Sequence, residues 1–360
     1  MKRAHNFNAG PSALPIEVLN RAQKELLNYK GTGMSIMELS HRSKEYDEVH
    51  EKAITYLRTL LRVPDNYHVL FLQGGASLQF SMIPLNFLSS TSSAEYVLTG
   101  VWSEKALEEA EKVGKASVVT SSKHTNYNYI PDFSENQVSK DSAYVHLTSN
   151  NTIFGTQWST YPEITKAPLI ADMSSDILSR EINIDQFSLL YAGAQKNLGP
   201  SGVTVVILKD ELLQKANPNL PTMLDYNTYV NSNSLYNTPP TFSIYMLSLV
   251  LEWVLEQGGV PAIEATNNKK AALLYDCIDS SDGFYNAHAK PGSRSTMNVV
   301  FTLPSDELTK QFLEKSNELG FVGLNGHRSV GGCRASIYNA VPYESCEELV
   351  DFMKSFKSEN

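Results

Sequence analysis

The sequence contains few cysteines, no excess of positive charge and no long apolar run. Its 3 cysteines among 360 residues follow no metal-ligand spacing, which predicts reduced thiols and no metal site. The formal net charge of −9 argues against a general nucleic-acid or membrane-surface binder. No apolar stretch approaches the roughly 18 residues that a membrane-spanning helix needs, and the first residues lack the apolar segment of a secretion signal. We therefore expect a cytoplasmic protein.

Apolar strands alternate with helical patterns through much of the chain. Alternating strands and helices form a mostly parallel sheet covered on both faces, so an α/β fold is expected. The predicted strands are "YHVLFLQGG", "AEYVLTGVW", "ASVVTS", "SAYVHLTS", "APLIADMSS", "FSLLYAGAQ" and "GVTVVILKD". The pattern changes near residue 261, after an amphipathic helix that ends in glycine. This predicts a large domain at 16–260 and a smaller α+β domain formed by 1–15 and 261–360.

Two ionisable residues follow apolar strands at the sheet edge where α/β proteins bind ligands. Lys196 lies on a turn in "YAGAQKNLGPSG" between two apolar strands. Most lysines are exposed surface residues, but a desolvated lysine there has a lowered pKa and can form an imine. Asp172 ends "LIAD". It could cap a turn, or it could hold a heteroaromatic nitrogen protonated, as pyridoxal phosphate requires.

Other strand ends carry groups that would complete such a site. The glycine-rich turn "GGAS" at 74–77 precedes a predicted helix, and free N–H groups at a helix start bind phosphate. Trp102 could stack on a flat ring, and Thr152 and Gln195 could donate hydrogen bonds. Each feature is common alone. A phosphate cradle, a ring platform, a carboxylate and an amine on successive strand ends together favour pyridoxal phosphate.

Two His-Arg pairs stand out in this acidic protein. The segments "SHRSKEY" and "GHRSVGGCRAS" contain His41, Arg42, His327, Arg328 and Arg334. These side chains could be exposed loop charges. Alternatively, they could converge on a substrate with several negative charges, since arginine binds carboxylate and phosphate bidentately.

Several longer motifs carry a family resemblance over nearly the whole chain. They are "NFNAGPSALP", "GMSIMELSHRSKEY", "LFLQGGASLQF", "ADMSSDILSR", "YAGAQKNLGPSG", "YNTPPTFSIYML" and "GHRSVGGCRASIYNA". In these motifs the chain resembles the class-V, fold-type I family of pyridoxal-phosphate-dependent aminotransferases. The resemblance implies one pyridoxal phosphate per subunit, linked to Lys196 as a Schiff base, with Asp172 on the pyridine nitrogen. It also implies a homodimer in which Asn237 and Thr238 reach the neighbouring subunit's cofactor. The remaining cofactor contacts would be made by Ala76, Ser77, Trp102, Thr152 and Gln195.

The resemblance further implies a reaction and a set of substrate contacts. The reaction would be reversible amino transfer between glutamate and 3-phosphohydroxypyruvate, which gives O-phosphoserine and 2-oxoglutarate in serine biosynthesis. Some relatives also act on a 4-carbon phospho-keto acid in pyridoxine biosynthesis. Arg334 would hold the α-carboxylate, while His41, Arg42, His327 and Arg328 would hold the distal anion. Some relatives carry an arginine in the glycine-rich loop, and this chain does not.

Two other functions are compatible with parts of the sequence. Cysteine desulfurases share the fold, and Cys333 lies beside Arg334 in a site motif. However, Cys333 starts a predicted strand rather than lying on a long loop. A pyridoxal-phosphate or phosphometabolite binding module without chemistry is the other alternative. The presence of both Lys196 and Asp172 argues against it.

Overall fold

Fourteen strands and ten helices are described over residues 3–360 of the computed structural model. Residues 1 and 2, which the predicted small domain includes, lie outside the described residues. The strands are β1 His5–Asn6, β2 Tyr67–Leu72, β3 Ser93–Leu98, β4 Ala116–Ser121, β5 Ser142–Thr148, β6 Asn150–Asn151, β7 Thr156–Gln157, β8 Leu169–Asp172, β9 Leu189–Gly193, β10 Thr204–Lys209, β11 Asn286–Ala287, β12 Asn298–Thr302, β13 Phe321–Val322 and β14 Cys333–Ser336. The helices are α1 Ile16–Glu25, α2 Lys44–Leu61, α3 Gly75–Phe87, α4 Val101–Val113, α5 Asp210–Leu213, α6 Tyr226–Asn231, α7 Thr241–Glu256, α8 Gly259–Asp279, α9 Asp306–Glu318 and α10 Tyr343–Glu359.

A seven-stranded sheet lies at the centre, in the order β2-β10-β9-β8-β5-β3-β4. Strand β10 is antiparallel to both of its neighbours, and every other neighbouring pair is parallel. The predicted α/β fold with a mostly parallel sheet is therefore confirmed. Six of the seven strands fall within the stretches predicted from the sequence, and β3 begins one residue earlier than predicted, at Ser93.

Apart from the edge strand β4, the sheet is largely buried on both faces under apolar side chains, which explains why most of its strands have nearly continuous apolar sequences. Every residue of β8 and β9 is buried. Leu190 packs in a cluster with side chains of α2 and α7. The adjacent Leu189 and Tyr191 point to the opposite face, where they pack in a cluster with Phe80 of α3. Alternate strand residues thus anchor helices on the two faces, and the carboxyl ends of the parallel strands stay free for a site.

A third apolar cluster joins the chain termini. Strands β11, β12 and β14 form an antiparallel sheet, and β1 pairs with β13. Phe7 packs in the same cluster as Phe312 of α9 and Phe352 of α10. The division into 16–260 and the flanking segments stays a prediction. Helix α8, which was not predicted, crosses the proposed boundary, because Ile263 packs with the large cluster and Leu274 with the terminal one.

Helix α8 was missed because its sequence contains Pro261 and a pair of asparagines, both of which are typical of breaks. Proline is tolerated in the first turn of a helix, where its missing N–H group would have no partner. Tertiary contacts stabilise the rest of the helix. Asn267 donates to the Ser179 carbonyl (3.0 Å), and fully buried Lys270 donates to the carbonyls of Ile337 and Tyr338 (3.0 and 2.8 Å).

None of the helices described for residues 3–360 combines the length and apolar character required to cross a membrane.

Candidate active site

A cavity of about 320 Å³ opens at the carboxyl ends of the central strands. Its walls come from the turns after β2, β5, β8 and β9, with contributions from β14 and the N-terminal segment. The predicted site residues that line it are Ala76, Ser77, Trp102, Thr152, Asp172, Gln195, Lys196, His327 and Arg334. Residues from widely separated parts of the chain therefore meet at the predicted sheet edge.

Lys196 presents its amine to this cavity. Its Nζ donates a hydrogen bond to the Thr152 hydroxyl at 2.7 Å. The pKa of Lys196 is lowered to about 8, mainly by burial, which the Asp172 carboxylate partly opposes and the charge of Arg334 reinforces. A sizeable fraction of the amine is therefore neutral near neutral pH, which is the form that attacks a carbonyl carbon.

The turn that carries Lys196 is fixed by backbone bonds on both sides. The N–H groups of Leu198 and Gly199 donate to the Ala194 carbonyl, at 3.2 and 2.9 Å. The N-terminal segment reaches the same turn, where Ser12 N–H donates to the Gln195 carbonyl (3.0 Å) and its hydroxyl to the Lys196 carbonyl (2.5 Å). Lys196 therefore lies on a turn that hydrogen bonds hold in one conformation.

Asp172 ends β8 and is 4% exposed. The backbone N–H of Ser174 donates to its Oδ1 at 2.9 Å, and the Ser174 hydroxyl accepts from Gly193 N–H at 3.1 Å. Burial raises the pKa of Asp172, while the bonds from Ser174 and the charge of Lys196 act in the opposite direction. A buried carboxylate is stable only beside a positive partner. A protonated pyridine nitrogen in the cavity would be such a partner.

A second buried carboxyl group lies behind Asp172. The Ser149 hydroxyl donates to the Asp172 carbonyl (2.9 Å) and also contacts the Asp176 carboxyl. Gln157 donates to the other oxygen of Asp176 at 3.0 Å. This network fixes the carboxyl end of β8 through the Asp172 carbonyl. The sequence signal for this network is Asp176, the second aspartate in "ADMSSD", to which the sequence alone assigns no role.

The start of α3 supplies a site for an anion. Gly74 and Gly75 have positive φ angles of 84° and 66°, and a Cβ at Gly74 would lie 2.7 Å from Leu78 Cβ. No side chain caps the helix, and Ala76 and Ser77 of its first turn line the cavity. Uncapped N–H groups and the positive end of the helix dipole bind phosphate well.

Trp102 forms another wall of the cavity, in the first turn of α4. The Ser103 hydroxyl accepts from the N–H groups of Thr99 and Gly100, at 3.0 and 3.1 Å, and so fixes where the helix begins. The indole Nε1 is buried and has no partner in the part of the chain that the structure describes. Because Trp102 lines the cavity, its indole would offer a platform to a flat ring bound there.

Arg334 extends from β14 into the cavity and donates to the Thr152 carbonyl at 3.3 Å. Within residues 3–360, no carboxylate lies within ion-pair distance of Arg334. Its Nε is buried without a partner, and burial lowers the pKa of its guanidinium. His327 lines the same cavity, and burial together with Arg334 and two further cations lowers its pKa. An anionic ligand would satisfy both groups.

The remaining predicted residues do not line the cavity of their own chain. Arg42 and Arg328 are exposed, and His41 is half-buried. Asn237 and Thr238 are exposed in the segment before α7, where the Thr238 carbonyl accepts from Gln73 at 3.4 Å. The cavity also has polar lining residues that were not predicted, although they lie at the ends of predicted strands or directly after them. They are Thr148, Asn150, Ser174 and Ser175.

Cys333 lies in the apolar cluster of β12 and α10 and is fully buried. Burial raises the pKa of its thiol to about 12. Because the thiolate is the nucleophilic form, this cysteine is a poor sulfur acceptor. The position of Cys333 therefore gives no support to the desulfurase alternative.

Comparison with known proteins identifies the family. The model of the aminotransferase class-V family matches residues 4–349. A phosphoserine aminotransferase of Geobacillus kaustophilus is 67% identical over 357 residues, which cover 99% of both chains. Among solved structures, a phosphoserine aminotransferase studied for radiation damage of its Schiff base has a TM-score of 0.97 at 59% identity, with both chains fully covered. The enzyme from Bacillus circulans subsp. alkalophilus has a TM-score of 0.97 at 56% identity and covers 100% of this chain and 99% of its own.

The chain therefore belongs to the class-V aminotransferases, which are pyridoxal-phosphate enzymes. Its full-length relatives place it, within that family, among the phosphoserine aminotransferases. The predicted family, fold and cofactor are confirmed.

The lowered pKa of Lys196 leads to a prediction for the cofactor-free protein. At pH 8 about half of this amine is neutral, against less than about 1% of an ordinary lysine, so imine formation with added pyridoxal phosphate should be fastest here. The rate should rise with pH and level off above about 8. Borohydride reduction and peptide mapping should locate the label at Lys196.

Lys270 provides an internal control, because burial lowers its pKa to about 8 as well but its amine is enclosed and bonded to carbonyls. It should stay unlabelled. A label on Lys270 or on a surface lysine, or a rate that is flat between pH 7 and 9, would contradict the assignment.

Proposed function

We propose that this enzyme catalyses reversible amino transfer between glutamate and 3-phosphohydroxypyruvate, which yields O-phosphoserine and 2-oxoglutarate. One observation carries the proposal. A single cavity contains a lysine amine, a buried carboxylate, an uncapped helix N-terminus and an arginine without a carboxylate partner. These four groups match the needs of pyridoxal phosphate and of an anionic amino acid.

The cofactor would be held by groups that the protein already orients. Asp172 would bind the pyridine nitrogen, Trp102 would stack on the ring, and the N–H groups of Ala76 and Ser77 would bind the phosphate. Thr152, which accepts from the Lys196 amine, and Gln195 in the cavity wall would contact the ring substituents. When bound, pyridoxal phosphate supplies a carbonyl group and a cationic ring that withdraws electrons from the reacting carbon.

Lys196 would transfer the proton in both directions. Its free amine would remove the proton from Cα of the amino acid. In the other half-reaction it delivers a proton to Cα of the keto acid. A pKa of about 8 suits a base that must take up and release a proton near neutral pH.

Arg334 would bind the α-carboxylate that both substrates share. The distal anion differs, because it is a carboxylate in glutamate and a phosphate in 3-phosphohydroxypyruvate. His327 in the cavity, with Arg328, His41 and Arg42, would bind either one. A single cationic region that accepts both anions lets one site serve the two half-reactions.

We further propose a two-fold homodimer with shared sites. The segments around Arg42 and Asn237, which do not reach their own cavity, carry exposed large apolar side chains. Met37 and Tyr236 are each 55% exposed, and Met34 is 44% exposed. Exposed apolar side chains next to these predicted binding residues indicate an interface. A two-fold axis would bring the segments around Arg42 and Asn237 to the partner's cavity. A cytoplasmic location, which the three free cysteines support, is also part of the proposal.

The reaction is tested by running its two halves separately. Glutamate alone should bleach the imine absorption band of the bound cofactor, and 3-phosphohydroxypyruvate should then restore this band. Lys196→Ala should show neither change, because the base is lost. Hydroxypyruvate, which lacks the phosphate, serves as the matched control and should restore the band at least about 100-fold less efficiently. Equal rates with the two keto acids would rule out the proposed substrate.

Asp172→Asn should retain cofactor but lose turnover, because an amide cannot stabilise a protonated ring nitrogen. We expect kcat to fall by at least about 100-fold, measured alongside the cofactor content by absorbance. Asp185→Asn, at an exposed position, serves as the control and should be unaffected. A kcat within twofold of the unmodified enzyme would show that Asp172 has no electronic role.

Shared sites predict complementation between two inactive variants. After unfolding and joint refolding, Lys196→Ala and Arg42→Ala should form hybrids with one intact site, and activity should return to about a quarter of the normal value. A mixture of Lys196→Ala with Asp172→Asn is the control. Both residues belong to one subunit's site, so no activity should return. Absence of recovery in the first mixture would show that Arg42 acts within its own subunit.

A further inference from the structure

Four positive groups lie close together, two in the cavity wall and two exposed beside it, and one of them has no assigned role. They are Arg334, His327, Arg328 and Lys105; the charges of the other three lower the pKa of His327. We propose that Lys105 is a specificity-determining residue that binds the phosphate of the phosphorylated substrate. This inference rests on the proposed function and names a group that distinguishes its two substrates.

The position of Lys105 on α4 directs it towards the cavity wall. It lies three residues after Trp102, and residues at this spacing share one face of a helix. Its Nζ lies 4.9 Å from the centroid of the Trp102 ring. Since that indole lines the cavity, the ammonium group is held at the cavity's rim by a cation–π contact.

Lys105 also lacks a counterion in the described chain, in contrast to its neighbours. Lys112, on the same helix, pairs with Glu109 at 2.6 Å. The adjacent Glu104 is occupied by Lys123 at 2.6 Å and by the Tyr127 hydroxyl at 2.7 Å. None of the ion pairs found among residues 3–360 includes Lys105, Arg328 or Arg334.

A cluster of unpaired cations attracts an anion of high charge. A phosphate monoester carries nearly two negative charges near neutral pH, whereas the side chain of glutamate carries one. An ammonium group acts as a point charge, so its contribution grows with the charge of the anion. The turn at 74–77 contributes backbone N–H groups but no cationic side chain. Lys105 therefore supplies a charge that favours the phosphorylated substrate.

The test compares both substrates in Lys105→Gln and Lys105→Ala. KM for 3-phosphohydroxypyruvate should rise about tenfold, as expected for the loss of a charge-assisted bond. KM for glutamate should rise less than about threefold, and kcat should stay within about twofold. Inorganic phosphate, used as a competitive inhibitor of the keto acid, should bind about tenfold more weakly. Lys105→Arg should keep both KM values near normal.

Lys112→Gln is the matched control on the same helix and should change neither KM. Equal increases in both KM values, or no increase, would overturn the proposal. A fall in kcat at constant KM would also overturn it, because Lys105 would then act only by supporting Trp102. Turnover of the unmodified enzyme with 3-phosphohydroxypyruvate distinguishes failure of the Lys105 proposal from failure of the proposed function. If it does not react with 3-phosphohydroxypyruvate, the reaction is wrong, whereas normal turnover with unchanged KM in the variants refutes Lys105 alone.

Discussion

The structure depends on keeping two ionisable groups, the Lys196 amine and the Asp172 carboxyl, out of water in one cavity. Burial opposes the charged form of each, lowering the pKa of the lysine and raising that of the aspartate. Such groups are stable only when the backbone around them is fixed. The pairing of β8 with β9, in which Asp172 is opposite Tyr191, provides this support. Burial favours the neutral, nucleophilic form of the amine. The buried carboxylate would be stabilised by the cationic ring of the proposed cofactor.

The site also depends on contacts between the terminal segments of the chain and the edge of the central sheet. Ser12, from the N-terminal segment, bonds to the turn of Lys196. The Tyr338 hydroxyl, from the segment after β14, donates to the Ala9 carbonyl at 2.8 Å. Lys270 of α8 donates to the Ile337 and Tyr338 carbonyls at the start of that same segment. The residues that would bind substrate are thereby held against the residues that would bind the cofactor.

Charge distribution explains how an acidic protein can bind acidic substrates. The net charge of −9 belongs to the whole surface, but the cavity region contains Arg334, His327 and Lys105 with no carboxylate pairing to the arginine or the lysine in the described chain. Local charge decides binding at a partly buried site, because distant surface charges are screened over about 10 Å. An anion that enters the cavity removes the repulsion among these cations, and this favours substrates with two anionic groups.

The sequence by itself determined the strands, the turns and the reactive residue types. Apolar runs between polar turns were enough to locate the seven strands, and the turns after them carried Asp172 and Lys196. The sequence did not determine α8. Its proline and asparagines are typical of a break, and the helix is stabilised by tertiary contacts such as the bond from Asn267 to the Ser179 carbonyl. The sequence also could not show that Thr148, Asn150 and Ser174 line the cavity, or that Lys105 lies against Trp102 near His327. Local periodicity records which face of an element is buried, whereas contacts between distant segments depend on strand order and register, which only the folded chain establishes.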